Sequence, residues 1–202
     1  MAVWLNGWRL TGIIAALLSL MVIGIMGEQD FSVDGIRTSI RATARTSLLL
    51  FLPVFSASAL TRFWPNRATL WLRRNRRYLG VSFATSHGLH GMAIIAFAIS
   101  DPALFSTMTN TGTLISGGIA YAAIFAMAAT SFDGAVRWLG PRNWRVLHWC
   151  GSWYIALSFV ITNGKRTPDM PFYWVPVLLV FIAIALRLAD RWRSRRGVTA
   201  PV

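Results

Sequence analysis

Cysteine is nearly absent: Cys150 is the only one in the chain. A lone thiol excludes an intramolecular disulfide and a Cys-x-x-Cys-His attachment for covalent haem. Charge is missing from six long stretches, none of which holds an internal Asp, Glu, Lys or Arg. Buried ionisable side chains mark ion and substrate pathways in lipid, so ion pumping and charge-coupled transport lose ground. Internal repeats, low-complexity tracts and a Gly-rich dinucleotide fingerprint are also absent, and the segments between stretches are too short for a flavin or nicotinamide domain. Reducing equivalents, if the chain handles them, come from another molecule.

What is present is apolar. With 55% hydrophobic residues and a mean hydropathy of +0.52, the chain belongs in lipid rather than in water. The uncharged stretches cover residues 10–27, 46–61, 78–100, 102–132, 146–164 and 170–186. A bilayer core takes roughly 17–25 residues of helix, so each makes one crossing. The fourth is long, and its polar start at 106–113, with Asn110 and Gly112, reads as loop. The expected fold is an all-α membrane bundle of six spans, about 10–27, 46–62, 78–100, 112–131, 146–164 and 170–187, forming one domain over residues 1–202. The first stretch has the length of a signal peptide, but Ile25-Met26-Gly27 is a poor cleavage site, and cleavage would leave the remaining topology unchanged.

The net charge of +13 has a topological explanation. With both termini cytoplasmic, the inner segments hold fifteen cations, among them Arg62, Arg73, Arg74, Arg76, Arg77, Arg142, Arg145, Arg187, Arg191, Arg195 and Arg196, against Asp133 and Asp190. The outer segments hold five cations and five acids. This is the positive-inside pattern of a multi-pass protein of the inner (plasma) membrane, and it requires no nucleic-acid partner. Outside, Arg37, Arg41 and Arg45 recur every four residues and form one basic stripe if that segment is helical.

All three histidines, His87, His90 and His148, fall in spans. Neutral imidazole is a strong iron ligand. On a helix His87 lies about 60° from His90, while Phe83 and Phe97 lie within about 20° of it, giving an apolar aromatic face. Gly80, Gly88 and Gly91 thin the same helix, which admits a flat macrocycle or merely a neighbouring helix. His148 follows Arg145 by three residues and is either a ligand or a hydrogen-bonded histidine at a helix start. Depth separates the candidates: His90 lies about 20 Å beyond Arg77, but His148 only about 5 Å beyond Arg145. One iron joins them only if the helices are strongly staggered or tilted.

The run Arg76-Arg77-Tyr78-Leu79-Gly80, with His90 ten residues after the glycine, resembles the third helix of the ferric-reductase-like transmembrane family, and most of all its MsrQ-type branch. The similarity continues through Arg45-Thr46-Ser47-Leu48, Thr130-Ser131, Leu139-Gly140, Trp144 and Leu147-His148, a core of about 45–164. The family carries a further histidine about thirteen residues after the one matched by His148, where this chain has Ile161. The resemblance implies a b-type haem subunit, with one or two haems, that passes electrons from a quinol or flavin donor toward an extracytoplasmic acceptor. It implies a periplasmic methionine sulfoxide reductase as partner, and the quinone pool or a flavin reductase as source. His90 and His148 are the expected iron ligands, with His87 as alternate, and Arg76 and Arg77 are placed to meet haem propionates. The rival expectation is a haem-free membrane scaffold that keeps the fold without the ligand set, which Ile161 favours.

Overall fold

The computed structural model describes residues 5–197. Residues 1–4 and 198–202, included in the single-domain reading, and the side chains of Arg195 and Arg196, included in the inner charge count, lie outside the described residues. The described chain forms α1 (Gly7–Glu28), α2 (Val33–Phe63), α3 (Arg67–Ser100), α4 (Pro102–Met108), α5 (Thr111–Ala129), α6 (Asp133–Leu139), α7 (Pro141–Gly164) and α8 (Trp174–Gly197), with a 3-10 turn at Pro171–Tyr173 leading into α8.

Five of these helices, α1, α2, α3, α5 and α8, are long and apolar enough to cross a membrane. The sixth expected crossing corresponds to α7, which has 24 residues but is diluted by Trp, His, Ser and Asn. The bundle turns large apolar side chains outward: Leu17, Leu20 and Ile23 on α1 are 61–63% exposed, and Ile99 and Leu178 also face out. Such surface belongs against hydrocarbon rather than water.

Helices α2 and α3 start earlier than the uncharged stretches suggest. α2 begins at Val33, with Ser32 accepting from the Gly35 N–H at 3.3 Å and Asp34 in its first turn. Arg37, Arg41 and Arg45 are therefore helical and share one face; Arg37 pairs with Asp34 at 3.1 Å. α3 begins at Arg67 with a capping box, in which Asn66 accepts from the Thr69 N–H and Thr69 accepts from the Asn66 N–H. Arg73, Arg74, Arg76 and Arg77 thus continue the helix that carries the histidines.

The segment 106–113, read above as loop, is loop only at Thr109 and Asn110. Asp101 accepts from the Leu104 N–H at 2.9 Å and Pro102 opens the first turn, so seven residues form α4. Asn110 then accepts from the Thr113 N–H at 2.9 Å and starts α5.

The core lies where α2 and α3 pack against α5, α7 and α8: Phe51, Phe55, Phe83, Ile124, Ile155, Ala156 and Val180 form one buried cluster. The α2–α3 contact, the most extensive in the bundle, is also polar. Ser47 donates to Ser86 at 3.0 Å, and the Thr46 and Ser86 hydroxyls are 3.0 Å apart. Lipid supplies no hydrophobic drive between helices, so small side chains and interhelical hydrogen bonds hold such a contact. Gly140 has φ +79, a left-handed angle that a residue without Cβ adopts freely, and Pro141 follows as the first residue of α7. That turn sets His148 two helical turns into α7.

Candidate functional site

A cavity of about 760 Å³ opens inside the arginine-rich end of the bundle. One wall comes from α2 and α3 through Phe51, Val54, Phe55, Gly80 and Phe83. The facing wall comes from α5 and α7 through Ile124, Met127, Trp144, His148 and Ile155. Arg76, Arg77, Arg142, Arg145, Arg187 and Arg191 complete the lining. A mostly apolar chamber with a few convergent polar groups is the usual form of a small-molecule site.

Several of the polar groups around it are held. Arg76 donates from Nε to the Val54 carbonyl at 3.1 Å, which leaves its remaining N–H groups for other partners. Arg187 lies over the Phe55 ring at 4.2 Å and the Trp153 ring at 5.5 Å and donates to Ser152 at 3.2 Å. Aromatic faces stabilise a guanidinium without neutralising it. Arg77 pairs with Asp133, and this hydrogen bond holds the Asp133 carboxyl below its ordinary pKa.

His148 stacks on Trp144, with ring centroids 4.2 Å apart, and its Nε2 lies 3.1 Å from the Thr130 hydroxyl. That hydroxyl donates to the Ala126 carbonyl at 2.7 Å, so Nε2 carries the proton and donates to Thr130. Trp144 in turn donates from Nε1 to the Thr130 carbonyl at 2.9 Å. The ring is thus fixed by one neighbour's face and another's hydroxyl.

His87 and His90 are not part of this lining. Their rings lie 5.2 Å apart on α3, further from the arginines. Nδ1 of His90 is 3.1 Å from the Ile40 carbonyl, which can only accept, so Nδ1 carries the proton and Nε2 keeps the lone pair. Thr43 sits 3.2 Å from the same nitrogen, with its own proton committed to the Ser39 carbonyl at 2.6 Å. His87 packs on Tyr121 at 4.8 Å and on Phe159 at 6.4 Å. His87 Nδ1 and the Tyr121 hydroxyl are buried without a hydrogen-bond partner among the described residues.

Of the residues singled out from the sequence, His148, Arg76 and Arg77 therefore share one chamber, while His90 and His87 share another environment. The structure does not bring His90 and His148 together. Sequence reasoning singled out Gly80 and Phe83 on the α3 wall and passed over the rest of the chamber's walls. Thr130 and Trp144 were visible as short family-like matches without a role, and Arg187 and Arg191 on α8 gave no signal beyond their charge.

These features define a class: a multi-pass membrane bundle whose basic end encloses a histidine-bearing cavity. The profile of the ferric reductase like transmembrane component family matches residues 39–159, from α2 into α7. The chain is 30% identical over 140 residues to the protein-methionine-sulfoxide reductase heme-binding subunit MsrQ of Cronobacter sakazakii (strain ATCC BAA-894), covering 67% of this chain and 68% of that protein. No solved structure matches the chain. The chain belongs to the ferric-reductase-like transmembrane family and is a multi-pass protein of the inner membrane.

Proposed function

We propose that the chain carries electrons across the membrane on non-covalently bound b-type haem seated in the His148 cavity, as the membrane subunit of a reductase system. The observation that carries this reading is the joining of one imidazole, an aromatic wall and six arginines around about 760 Å³. The family match and the heme-binding role in the relative's name support it. The residues fit the group: a histidine for iron, apolar faces for a macrocycle, and Arg76 and Arg77 for propionates.

In this reading α7 is the sixth crossing, both termini are cytoplasmic, and the domain runs over residues 1–202 with a core of about 45–164. The donor, a quinol or a reduced flavin, approaches the arginine-rich side, and the acceptor is a reductase subunit outside. The chain is then an oxidoreductase subunit without its own NAD(P)H or flavin domain.

Haem, when bound, supplies a one-electron redox centre. The chain's residues do the rest. Trp144 and Thr130 orient the His148 ring, the imidazole that would hold the iron. Arg76 and Arg187, anchored by the Val54 carbonyl and the Phe55 ring, hold positive charge at the chamber wall. Phe51, Phe55 and Phe83 exclude water and keep the local dielectric low.

The test is an absorption spectrum of detergent-purified protein, oxidised and dithionite-reduced, with a pyridine haemochrome to count haem per chain. A b-type α band that His148→Ala removes, with helicity retained, supports the reading. A Soret band missing after expression with ample haem sinks it and leaves the scaffold reading, which Ile161 favours.

A further inference from the structure

We infer that this chain holds a single haem, because the level of His90 is closed by Tyr121. The inference rests on the haem reading above and concerns the other end of the bundle. Tyr121 of α5 lies flush on α3: a β-carbon built on Gly91 would stand 3.0 Å from Tyr121 Cε1 and 3.1 Å from its Cζ and hydroxyl. The same ring packs on His87 at 4.8 Å. A flat macrocycle between two protein surfaces needs a gap of roughly 7 Å, two van der Waals contacts of about 3.5 Å each. At Gly91 that gap is taken by the phenol ring.

Aromatic side chains fill the layer between the two levels. Phe159 meets Phe51 at 5.4 Å, His87 at 6.4 Å and Phe83 at 6.5 Å. Of these rings Phe51 and Phe83 line the His148 cavity, whose lining does not reach Phe159, His87, His90 or Tyr121. His87 shares α3 with His90, and no helix facing them offers a second histidine at this level. Ile161 stands where the family carries a histidine, and its side chain is 48% exposed on the outside of α7.

His90 is then a tether between helices. Its Nδ1–H donates to the Ile40 carbonyl of α2 at 3.1 Å beside Thr43, joining α3 to α2 near their outer ends. A tautomer with a free Nε2 would suit iron, but the space for a macrocycle is absent, and space decides.

The experiment counts haem per chain by pyridine haemochrome in the wild type, His148→Ala, His90→Ala and His90→Gln. The glutamine amide can donate to the Ile40 carbonyl but does not ligate haem iron, so it separates a lost tether from a lost ligand. Expected are one haem in the wild type, loss of at least tenfold in His148→Ala, and an unchanged count and α band in His90→Gln, whether or not His90→Ala folds. Two haems in the wild type, or halved pigment in folded His90→Gln, would overturn the single-haem inference and leave the haem reading intact. No haem in any variant would overturn the parent reading and this inference with it.

Discussion

The two histidine levels of this bundle are built from similar residues and differ in what surrounds them. At the arginine-rich end His148 borders a void of about 760 Å³, its ring gripped by Trp144 and Thr130. At the other end His87 and His90 sit in filled space, one against Tyr121 and Phe159, the other hydrogen-bonded to the backbone of α2. A histidine in a membrane helix is therefore not a site by virtue of its type. Empty volume and a charged rim distinguish the two levels; Arg145 beside His148 hints at the rim, but the volume cannot be read from the histidine's own neighbours in sequence.

The sharpest way to break this contrast is to exchange the histidines for non-ligands one at a time. His148→Ala is expected to cut bound haem at least tenfold, whereas removing the His90 imidazole while keeping its donor, as glutamine does, leaves the pigment in place. Equal losses from both would erase the distinction between levels.

Filling the void is the next largest perturbation. Gly80 lines the cavity, and a β-carbon there would meet only Val54 Cγ1, at 3.8 Å. Gly80→Leu therefore enters open space, and leucine replaces a poor helix former in the middle of α3. Haem content is expected to drop several-fold while thermal stability in the haem-free form holds or rises. If Gly80→Leu instead binds a full complement, the cavity named here does not house the macrocycle.

Much of the scaffold was legible in sequence because its cause is local. Uncharged stretches matched the five helices that are long and apolar enough to cross a membrane, and thirteen residues at 1.5 Å each already separated His90 from Arg77 by about 20 Å along α3. α4 was missed because Ser106, Thr107 and Thr109 look like loop composition, although Asp101-Pro102 is a helix-start signal that outweighs them. Of the chamber, single residues were legible (His148, Arg76, Arg77, Gly80 and Phe83), but not their meeting across helices. It needs Phe51 from α2, Met127 from α5 and Arg187 from α8 to face one another, and no spacing within a single helix encodes that meeting.

A smaller effect is expected at the polar seam that holds α2 on α3. Ser86 bonds both Thr46 and Ser47, so Ser86→Ala leaves the buried Ser47 hydroxyl to find another partner, while the half-buried Thr46 keeps its bond to the Thr43 carbonyl. The expected cost is about 1 kcal/mol of stability, read as a lower unfolding midpoint in detergent, with haem per chain unchanged. Loss of pigment in parallel with stability would show that the two levels are mechanically coupled, and the comparison would have to be redrawn as one unit.

The smallest effect belongs to Asp133, exposed at the rim of the chamber and paired with Arg77. Because the native carboxyl titrates below its ordinary value, the ion pair contributes stability at neutral pH, and that contribution is lost as pH falls through the lowered native pKa. Solvent screens the pair, so its contribution is slight. Phe132, stacked on Trp8 of α1 at 5.2 Å, gives the same segment a second attachment to the bundle. Asp133→Asn is thus expected to lower the unfolding temperature slightly at pH 7, with the gap from the wild type closing as acid protonates the native carboxyl, while the α band stays the same in both proteins. A gap between the two proteins that widens on acidification would mean that Asp133 acts through something other than its bond to Arg77.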